Sequence, residues 1–542
     1  MTEFALADLF ETTARAVPDR ECIVQGERRL RYGELSERVG RLASWLTGQG
    51  LGQARERGEI EPWQSGQDHL ALYMYNCPEY IESMLACFRA RLVPFNVNYR
   101  YTVPELVALL RDAGARALIY HATFEAQVSA VRAQLPDLQA LLRVGEPDDE
   151  YAAAIASGDP AGPPQRGTAD DLYVLYTGGT TGRPKGVLWR QADIFAAALG
   201  GRDRGGREFA SLDQLRARAA RGGNRALPLS PLMHGAAHWA SLHALFSGDT
   251  VVLAEQVRHF DPEEVLATIE RERVGFVTLI GDAFGRPLLE ALQRSSAEFP
   301  TLRAIVNGGA PLGADTKRAL LARLPGRVIV DAIGSSESGT QGVDLGTDAK
   351  AQTGRFERTE STRVLSADRS RILQPGDPEL GWLAQSGRVP LGYLGDPERT
   401  RATFPVLEGV RWAIPGDRAY VLANGQLEVV GRDSTTINSG GEKIFAEEVE
   451  AVLKTHPAVY DVLVCSRPSP RWGQEVCAVV QLRAAQDPAT IEADLLAHAG
   501  RELARYKLPR VFAFCEQIER SPSGKADYTW ARQMVATLDD AS

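Results

Sequence analysis

The segment Leu172–Val187, LYVLYTGGTTGRPKGV, constrains this chain more than any other stretch of its 542 residues. An apolar run with strand character enters a loop holding Gly178, Gly179 and Gly182, the hydroxyls of Thr177, Thr180 and Thr181, and one lysine, Lys185. Glycines let a backbone turn its N–H groups toward a polyphosphate, hydroxyls add donors, and a lysine adds charge. The spacing is not the Walker pattern, because Pro184 precedes Lys185 and Gly186 follows it, and it is not the G-x-G-x-x-G dinucleotide fingerprint.

Around this loop, short apolar runs alternate with amphipathic stretches, the pattern of α/β layers. Leu70–Met74, Ala117–Tyr120, Thr250–Ala254, Gly275–Ile280 and Arg303–Asn307 read as buried strands, and Pro262–Arg273 as a helix. A chain this long exceeds one hydrophobic core, so two or three domains are expected. The Pro/Gly-rich stretch Ser157–Ala169 reads as a subdomain joint, and the pattern changes again after Gly431. The expected organisation is residues 1–431 as a large N-terminal domain of α/β layers with several sheets, and residues 432–542 as a small α+β C-terminal domain. Within the latter, strands are predicted at Val459–Cys465 and Glu475–Gln481 and a helix near Thr490–Leu503. The Arg-rich interruption Gly200–Arg225 reads as a solvated surface insertion, with a flap over a site as the alternative.

Composition narrows the partners. A net charge of −9 supplies no positive field for nucleic acid, so a polyanionic ligand must be held by local donors. The six cysteines contain no C-x-x-C pair, which fits free thiols in a reducing cytoplasm. The first twenty residues carry acidic groups and lack a basic leader region, so they do not read as a signal peptide. No uninterrupted apolar stretch is long enough for a transmembrane helix. The expectation is a cytoplasmic enzyme, with homodimerisation left open.

Strand, T-G-G-T-T-G-x-P-K-G and strand, in that order, resemble the adenylate-forming superfamily of acyl-CoA synthetases, luciferases and nonribosomal-peptide adenylation domains. Further motifs follow in the family's order from about Phe10 to Trp530. The resemblance implies an adenylation domain followed by a mobile C-terminal domain. It also implies ATP, Mg²⁺ and coenzyme A as cofactors and a small-molecule carboxylic acid as substrate.

Residue by residue, Pro231–Gly235 (PLMHG) resembles the segment that places His234 and Gly235 beside the acyl pocket, with His234 as a gate near the carboxylate. Gly281 and Asp282 are assigned to the same pocket. Asn307–Leu312 (NGGAPL) resembles the loop along adenine, giving Gly308, Gly309 and Ala310, with Gly308 also touching the acyl group. In Asp331–Gly339 (DAIGSSESG), the resemblance gives Asp331, Ile333, Gly334, Ser335 and Ser336 to ATP and makes Glu337 the Mg²⁺ ligand. Ile333 stands where the family usually has Tyr, so adenine would rest on an aliphatic side chain. Gly381–Tyr393 matches a segment that is mainly structural. Asp417 and Arg432 are assigned to the ribose, Ser434 to the hinge, and Gly440, Gly441 and Lys443 to coenzyme A. Ser434 replaces the family's usual Asp or Lys. In Arg520–Lys525 (RSPSGK), Lys525 would reach the substrate carboxylate and the α-phosphate.

The implied reaction is ATP-dependent acyl-CoA ligation through an acyl adenylate, releasing AMP and pyrophosphate. Loading of a phosphopantetheine carrier protein and a non-catalytic binding protein are the alternatives. Several variants resemble bacterial synthetases acting on sterol side-chain acids: Thr177–Thr180, the Arg-rich insertion, Gly281–Ala283, Ile333, Ser434 and Ser521–Trp530. A medium- or long-chain fatty acid is the competing substrate.

Overall fold

The structure is a computed structural model that describes residues 2–145, 149–163, 166–177, 184–203, 205–347, 353–439, 442–521 and 524–538. Four sheets organise them. The predicted run at 70–74 becomes the strand His69–Tyr73, flanked in parallel by Val93–Asn96 and Ala115–His121, with Ala140–Val144 beyond. A larger sheet has a parallel centre in which Phe276–Leu279, Ala304–Gly308 and Val328–Ser335 lie side by side, register partners Val277, Ile305 and Ile329 aligned. All its predicted strands form within a residue or two, because parallel strands covered on both faces are continuous apolar runs.

The phosphate-loop segment forms a hairpin, Leu172–Thr177 against Lys185–Arg190, joined by the two-residue strand Gly392–Tyr393. Alternation with period two sends its side chains to opposite sides. Tyr173, Leu175, Val187 and Trp189 join one core, while Leu172, Val174, Tyr176 and Leu188 join another. The hairpin is thus wedged between two packed layers, which fixes the end that carries Thr177 and Lys185.

Between Arg432 and Thr436 the chain leaves the large sheet and enters the fourth, five-stranded one. There Val459–Ser469 and Gly473–Leu482 pair antiparallel, and Val511–Cys515 adds in parallel. The helix predicted near 490–503 runs Pro488–Ala499 and is followed by Gly500.

The Arg-rich interruption lies at the surface, where the first of the two expectations put it. It contains a helix, Leu212–Arg221, with Leu215 and Ala219 buried and the rest of its surface largely exposed. Arg20 donates to the carbonyls of Ala219 and Gly248, and Arg388 joins Glu208 of the insertion to Glu3. Charge pairing across the chain ties this exposed segment to the body.

Candidate active site

The C-terminal ends of the parallel strands, the loop end of the hairpin and a loop of the C-terminal domain come together. In the hairpin, Thr177 and Lys185 are register partners at the mouth of the loop. Gly178, Gly179, Thr180, Thr181 and Gly182 of the assigned phosphate loop lie outside the described residues, as do Gly440 and Gly441. Asn96 fixes the strand leading into that loop: its amide exchanges two 2.8 Å hydrogen bonds with the Tyr176 backbone, and donates at 2.7 Å to the carbonyl of Met233. This buried side chain, which sequence reasoning missed, thereby ties the hairpin to the PLMHG segment.

Glu337 sits in a tight turn after the strand Val328–Ser335. Its N–H donates to Ser335 Oγ, and Ser335 N–H donates to Ser338 Oγ. Trp189 Nε1 donates at 2.8 Å to the Ser336 carbonyl, fixing the turn against the hairpin. The buried Glu337 carboxylate accepts from Tyr393 Oη at 3.0 Å and lies 3.9 Å from Lys185 Nζ. Burial pulls the Lys185 ammonium below its ordinary pKa, and Glu337 works in the opposite sense.

Opposite these groups, Asp417 and Arg432 are antiparallel register partners, and Arg432 Nε donates to Asp417 Oδ1 at 3.1 Å. Asp417 is the main cause that raises the Arg432 guanidinium above its ordinary value. Lys525 follows a turn closed by Gly524 N–H to the Ser521 carbonyl at 2.8 Å and by Ser521 N–H to the Lys525 carbonyl at 2.9 Å. Gly524, at φ +74°, packs on Ala283 and Phe284, so the C-terminal loop is seated against the large domain. Lys525 Cε lies 3.5 Å from the point where a Cβ on Gly309 would stand. The lysine is reachable by solvent along the cleft. Its pKa is nonetheless lowered, first by desolvation and then by Arg432, with Glu337 and Asp417 acting against the shift.

His234 precedes the helix Gly235–Phe246, whose first residue packs so tightly on Leu175 that a Cβ there would collide with it. The imidazole Nε2 is buried and has no hydrogen-bond partner among the described residues. Burial, then the charge of Lys525, lowers its pKa to about 3, so the ring is neutral at physiological pH. A neutral ring beside a lysine suits a carboxylate neighbour without competing for its charge.

Below the strand ends, Asn307 organises the backbone. Its Oδ1 accepts from Gly281 N–H at 2.7 Å, and its amide donates to the carbonyl of Ala310 and to Asp331. The Asp331 carboxylate is buried and paired with Lys317 Nζ at 2.5 Å, beneath the site. Gly281 has φ +57° and Gly309 φ +84°, the left-handed region that glycine occupies without strain. Asp282 accepts from Gly313 N–H at 3.1 Å and faces Arg286. Ile333 packs toward Val364, Leu383 and Leu427, while Gly308 has only the Ala332 carbonyl near its missing Cβ. Gly334 pairs with Thr340 just past a register shift in which the partner strand carries one extra residue, Gln341. Ser434 lies in the turn Asp433–Thr435, and Lys443, largely exposed, faces Asp433 at 4.0 Å.

Chemically, the cleft collects Lys185, Lys525, Arg432, Glu337 and Asp417 around strand ends whose glycines leave space. That set suits an anionic, hydroxyl-bearing ligand. Among the described residues no cluster of three His, Cys, Asp or Glu side chains forms a resident metal site. A single carboxylate fits Mg²⁺ that arrives on phosphate oxygens, because this ion binds through one or two carboxylates plus phosphates.

The AMP-binding enzyme family profile matches residues 10–394, and the AMP-binding enzyme C-terminal domain profile matches residues 448–525. Lys525 is the last residue of the second match. A medium-chain acyl-CoA ligase, Mig, of Mycobacterium avium is 49% identical, covering 98% of each chain. A 3-oxocholest-4-en-26-oate–CoA ligase of Rhodococcus rhodochrous is 37% identical over 98% of this chain and 96% of its own. In fold, the chain resembles ATP-bound MatB from Rhodopseudomonas palustris with a TM-score of 0.80 at 23% identity, covering 98% and 99% of the two chains. A Mycobacterium tuberculosis fatty acyl CoA synthetase gives a TM-score of 0.72 at 24% identity over 98% and 99%. With both profiles in order and relatives matched end to end, the chain belongs to the AMP-binding enzyme family.

Proposed function

We propose that this protein is an ATP-dependent acyl-CoA ligase acting on medium- or long-chain fatty acids or on sterol side-chain acids. The observation that carries the reading is the position of Lys525: it stands beside Gly309 and within the electrostatic reach of Arg432, Glu337 and Asp417. The relatives' substrates, medium-chain acids and 3-oxocholest-4-en-26-oate, supply the acid classes.

In the first half-reaction a carboxylate oxygen attacks the α-phosphorus of ATP and pyrophosphate leaves. Asp417 would accept from the ribose hydroxyls, with Arg432 beside it, and the Thr177–Gly182 loop with Lys185 would hold the leaving phosphates. Ser335 and Ser336, beside Gly334, would flank the α-phosphate, and adenine would lie along Gly308–Ala310 against Ile333. Lys525 would stabilise charge developing on the carboxylate and α-phosphate oxygens. Mg²⁺ held by Glu337 would neutralise phosphate charge when bound. The neutral His234, Gly235 and Gly281 would bound the acyl pocket; Asp282 would support it through the Gly313 backbone and Asp331 through the Asn307 side chain.

In the second half-reaction the C-terminal domain, residues 432–542, would turn about Ser434. Lys525 would leave the cleft while Gly440, Gly441 and Lys443 approach it. The coenzyme A thiol then attacks the acyl carbon, and AMP is expelled. We place the protein in the cytoplasm, on its six free thiols and on the absence, among the described residues, of any helix long and apolar enough to cross a membrane.

The test is ATP–pyrophosphate exchange across a panel of acids, followed by AMP release with and without coenzyme A. Exchange with fatty and sterol acids and AMP release that needs coenzyme A are expected. Exchange with no acid would sink the reading, and turnover only with a phosphopantetheine carrier would replace coenzyme A as acceptor.

A further inference from the structure

Tyr393 belongs to the segment that the sequence resemblance leaves to the scaffold, yet it touches the charged centre of the cleft directly. The two-residue strand Gly392–Tyr393 lies along the hairpin, with Tyr393 opposite Val187. Its backbone is fixed by Tyr393 N–H to Thr400 Oγ1 at 2.9 Å, and its ring packs on Phe404 with 5.5 Å between centroids. The ring is buried, and its hydroxyl donates to Glu337 Oε1 at 3.0 Å. Lys185 Nζ stands 4.9 Å from the ring centroid, and the Arg399 guanidinium carbon 6.0 Å from it.

These contacts solve a specific problem. A half-buried lysine beside a buried carboxylate gains most by closing to a contact ion pair, since attraction strengthens away from water. Such a pair would quench both charges and leave neither for a phosphate. Here the two stay 3.9 Å apart. The Tyr393 hydroxyl occupies one lone pair of the same oxygen the lysine faces, and the ring offers the ammonium a cation–π seat. We propose that Tyr393 is a positioning residue for adenylate formation: its hydroxyl orients Glu337, its ring seats Lys185, and together they keep both groups available to the triphosphate. This inference rests on the ligase reading above, in which Lys185 and Glu337 serve ATP.

Tyr393→Phe keeps the ring and its packing and removes only the hydroxyl. Loss of a hydrogen bond to a charged group predicts about 10-fold slower ATP–pyrophosphate exchange. The Mg²⁺ concentration for half-maximal exchange should rise several-fold, and the Mg²⁺-dependent thermal shift produced by ATP should shrink in parallel. Acyl-CoA formation from supplied acyl adenylate should stay close to wild type, as should the melting temperature without ligand. In a Glu337→Gln background the same change should add little, because the group it orients is already neutral. Tyr393→Phe with an unchanged exchange rate and Mg²⁺ midpoint overturns the proposal. So does an equal loss in both half-reactions with early melting, which is the mark of a packing role alone. Wild-type protein that exchanges pyrophosphate with no acid sinks the ligase reading instead, and this inference with it.

Discussion

Arg520 holds Asp461 through two hydrogen bonds, Nε to Oδ2 and a terminal nitrogen to Oδ1, each 2.8 Å, and donates a third at 3.2 Å to the carbonyl of Gly524. Gly524 precedes Lys525, so a strand residue of the C-terminal sheet anchors the loop that carries the lysine. Burial alone would raise the Asp461 pKa, but Lys454 and Arg520 outweigh it and hold the carboxylate ionised.

Asp461→Asn should therefore loosen the loop. Breaking a buried pair by removing one partner costs about 3–5 kcal/mol, part of which falls on the whole C-terminal domain. Adenylate formation should slow more than thioester formation from supplied adenylate, because only the first needs Lys525 held in the cleft. A depressed carboxylate pKa contributes stability above its unfolded value and loses it as pH falls through the folded value. The wild type should thus lose its advantage over Asp461→Asn under acid conditions, which melting curves across pH will read. Equal half-reaction losses at neutral pH would detach Arg520 and Asp461 from the lysine.

Lys525→Ala removes one cation from a site where negative charge grows on oxygen. Adenylate formation should fall by about 100-fold or more. Thioester formation from supplied acyl adenylate should hardly change. Rapid-quench measurement of each half-reaction separates them, and a shared loss would show that the lysine serves both.

Much of the frame was legible because its signals are local. Leu70–Met74 or Arg303–Asn307 announce parallel strands by being apolar throughout, and the motif order lines up Lys185, Glu337, Asp417 and Lys525 before any contact is seen. What stayed hidden depends on distant partners. Tyr393 acts only because its short strand returns to a hairpin about two hundred residues earlier in the chain, a pairing no spacing rule encodes. Asn96 bridges Tyr176 and Met233 from another sheet. Asp331 reads as a site carboxylate, yet Lys317, which resembles any lysine on an amphipathic helix, is buried and turned toward it. The Arg-rich interruption shows its charges in sequence, but the Arg20 and Arg388 that tie it to the body lie about two hundred residues away.

The adenine-side glycines should respond differently to a methyl group. A Cβ on Gly308 meets only the Ala332 carbonyl, at 3.6 Å, so Gly308→Ala should keep wild-type stability and tighten only the ligand space. Gly309 has φ +84° and would bring its Cβ to 3.4 Å from Ile280 and 3.5 Å from Lys525. Gly309→Ala should cost about 1–2 kcal/mol from the left-handed backbone alone. It should also slow adenylation by crowding the lysine. Chemical denaturation and ATP–pyrophosphate exchange on the two variants provide the check, and matching behaviour would mean that the backbone at Gly309 relaxes freely.

Glu450 gives the C-terminal domain a pH dependence of its own. It lies on the helix Ala446–Leu453 and accepts from Val464 N–H at 2.9 Å, wholly inside the domain. Burial pushes its carboxyl up to about 7; Lys454 partly offsets this, while Glu447 adds repulsion. Tyr528 and Arg520 face the same group from the C-terminal helix and the lysine loop. Below the unfolded value near 4.5, both folded and unfolded chains keep the proton, and the residue leaves stability independent of pH. Between there and about 7 the folded state binds more protons than the unfolded one, so stability falls as pH rises. Above that window both forms are ionised and the loss is complete, at up to about 3 kcal/mol for a shift of this size. Glu450→Gln copies the protonated form and still accepts from Val464. It should match the wild type near pH 4.5 and unfold at higher denaturant concentration at pH 8, with the slope between them removed. Parallel wild-type and Glu450→Gln profiles from pH 4.5 to 8 would mean that the carboxylate ionises inside the fold without cost, which its burial beside Glu447 argues against.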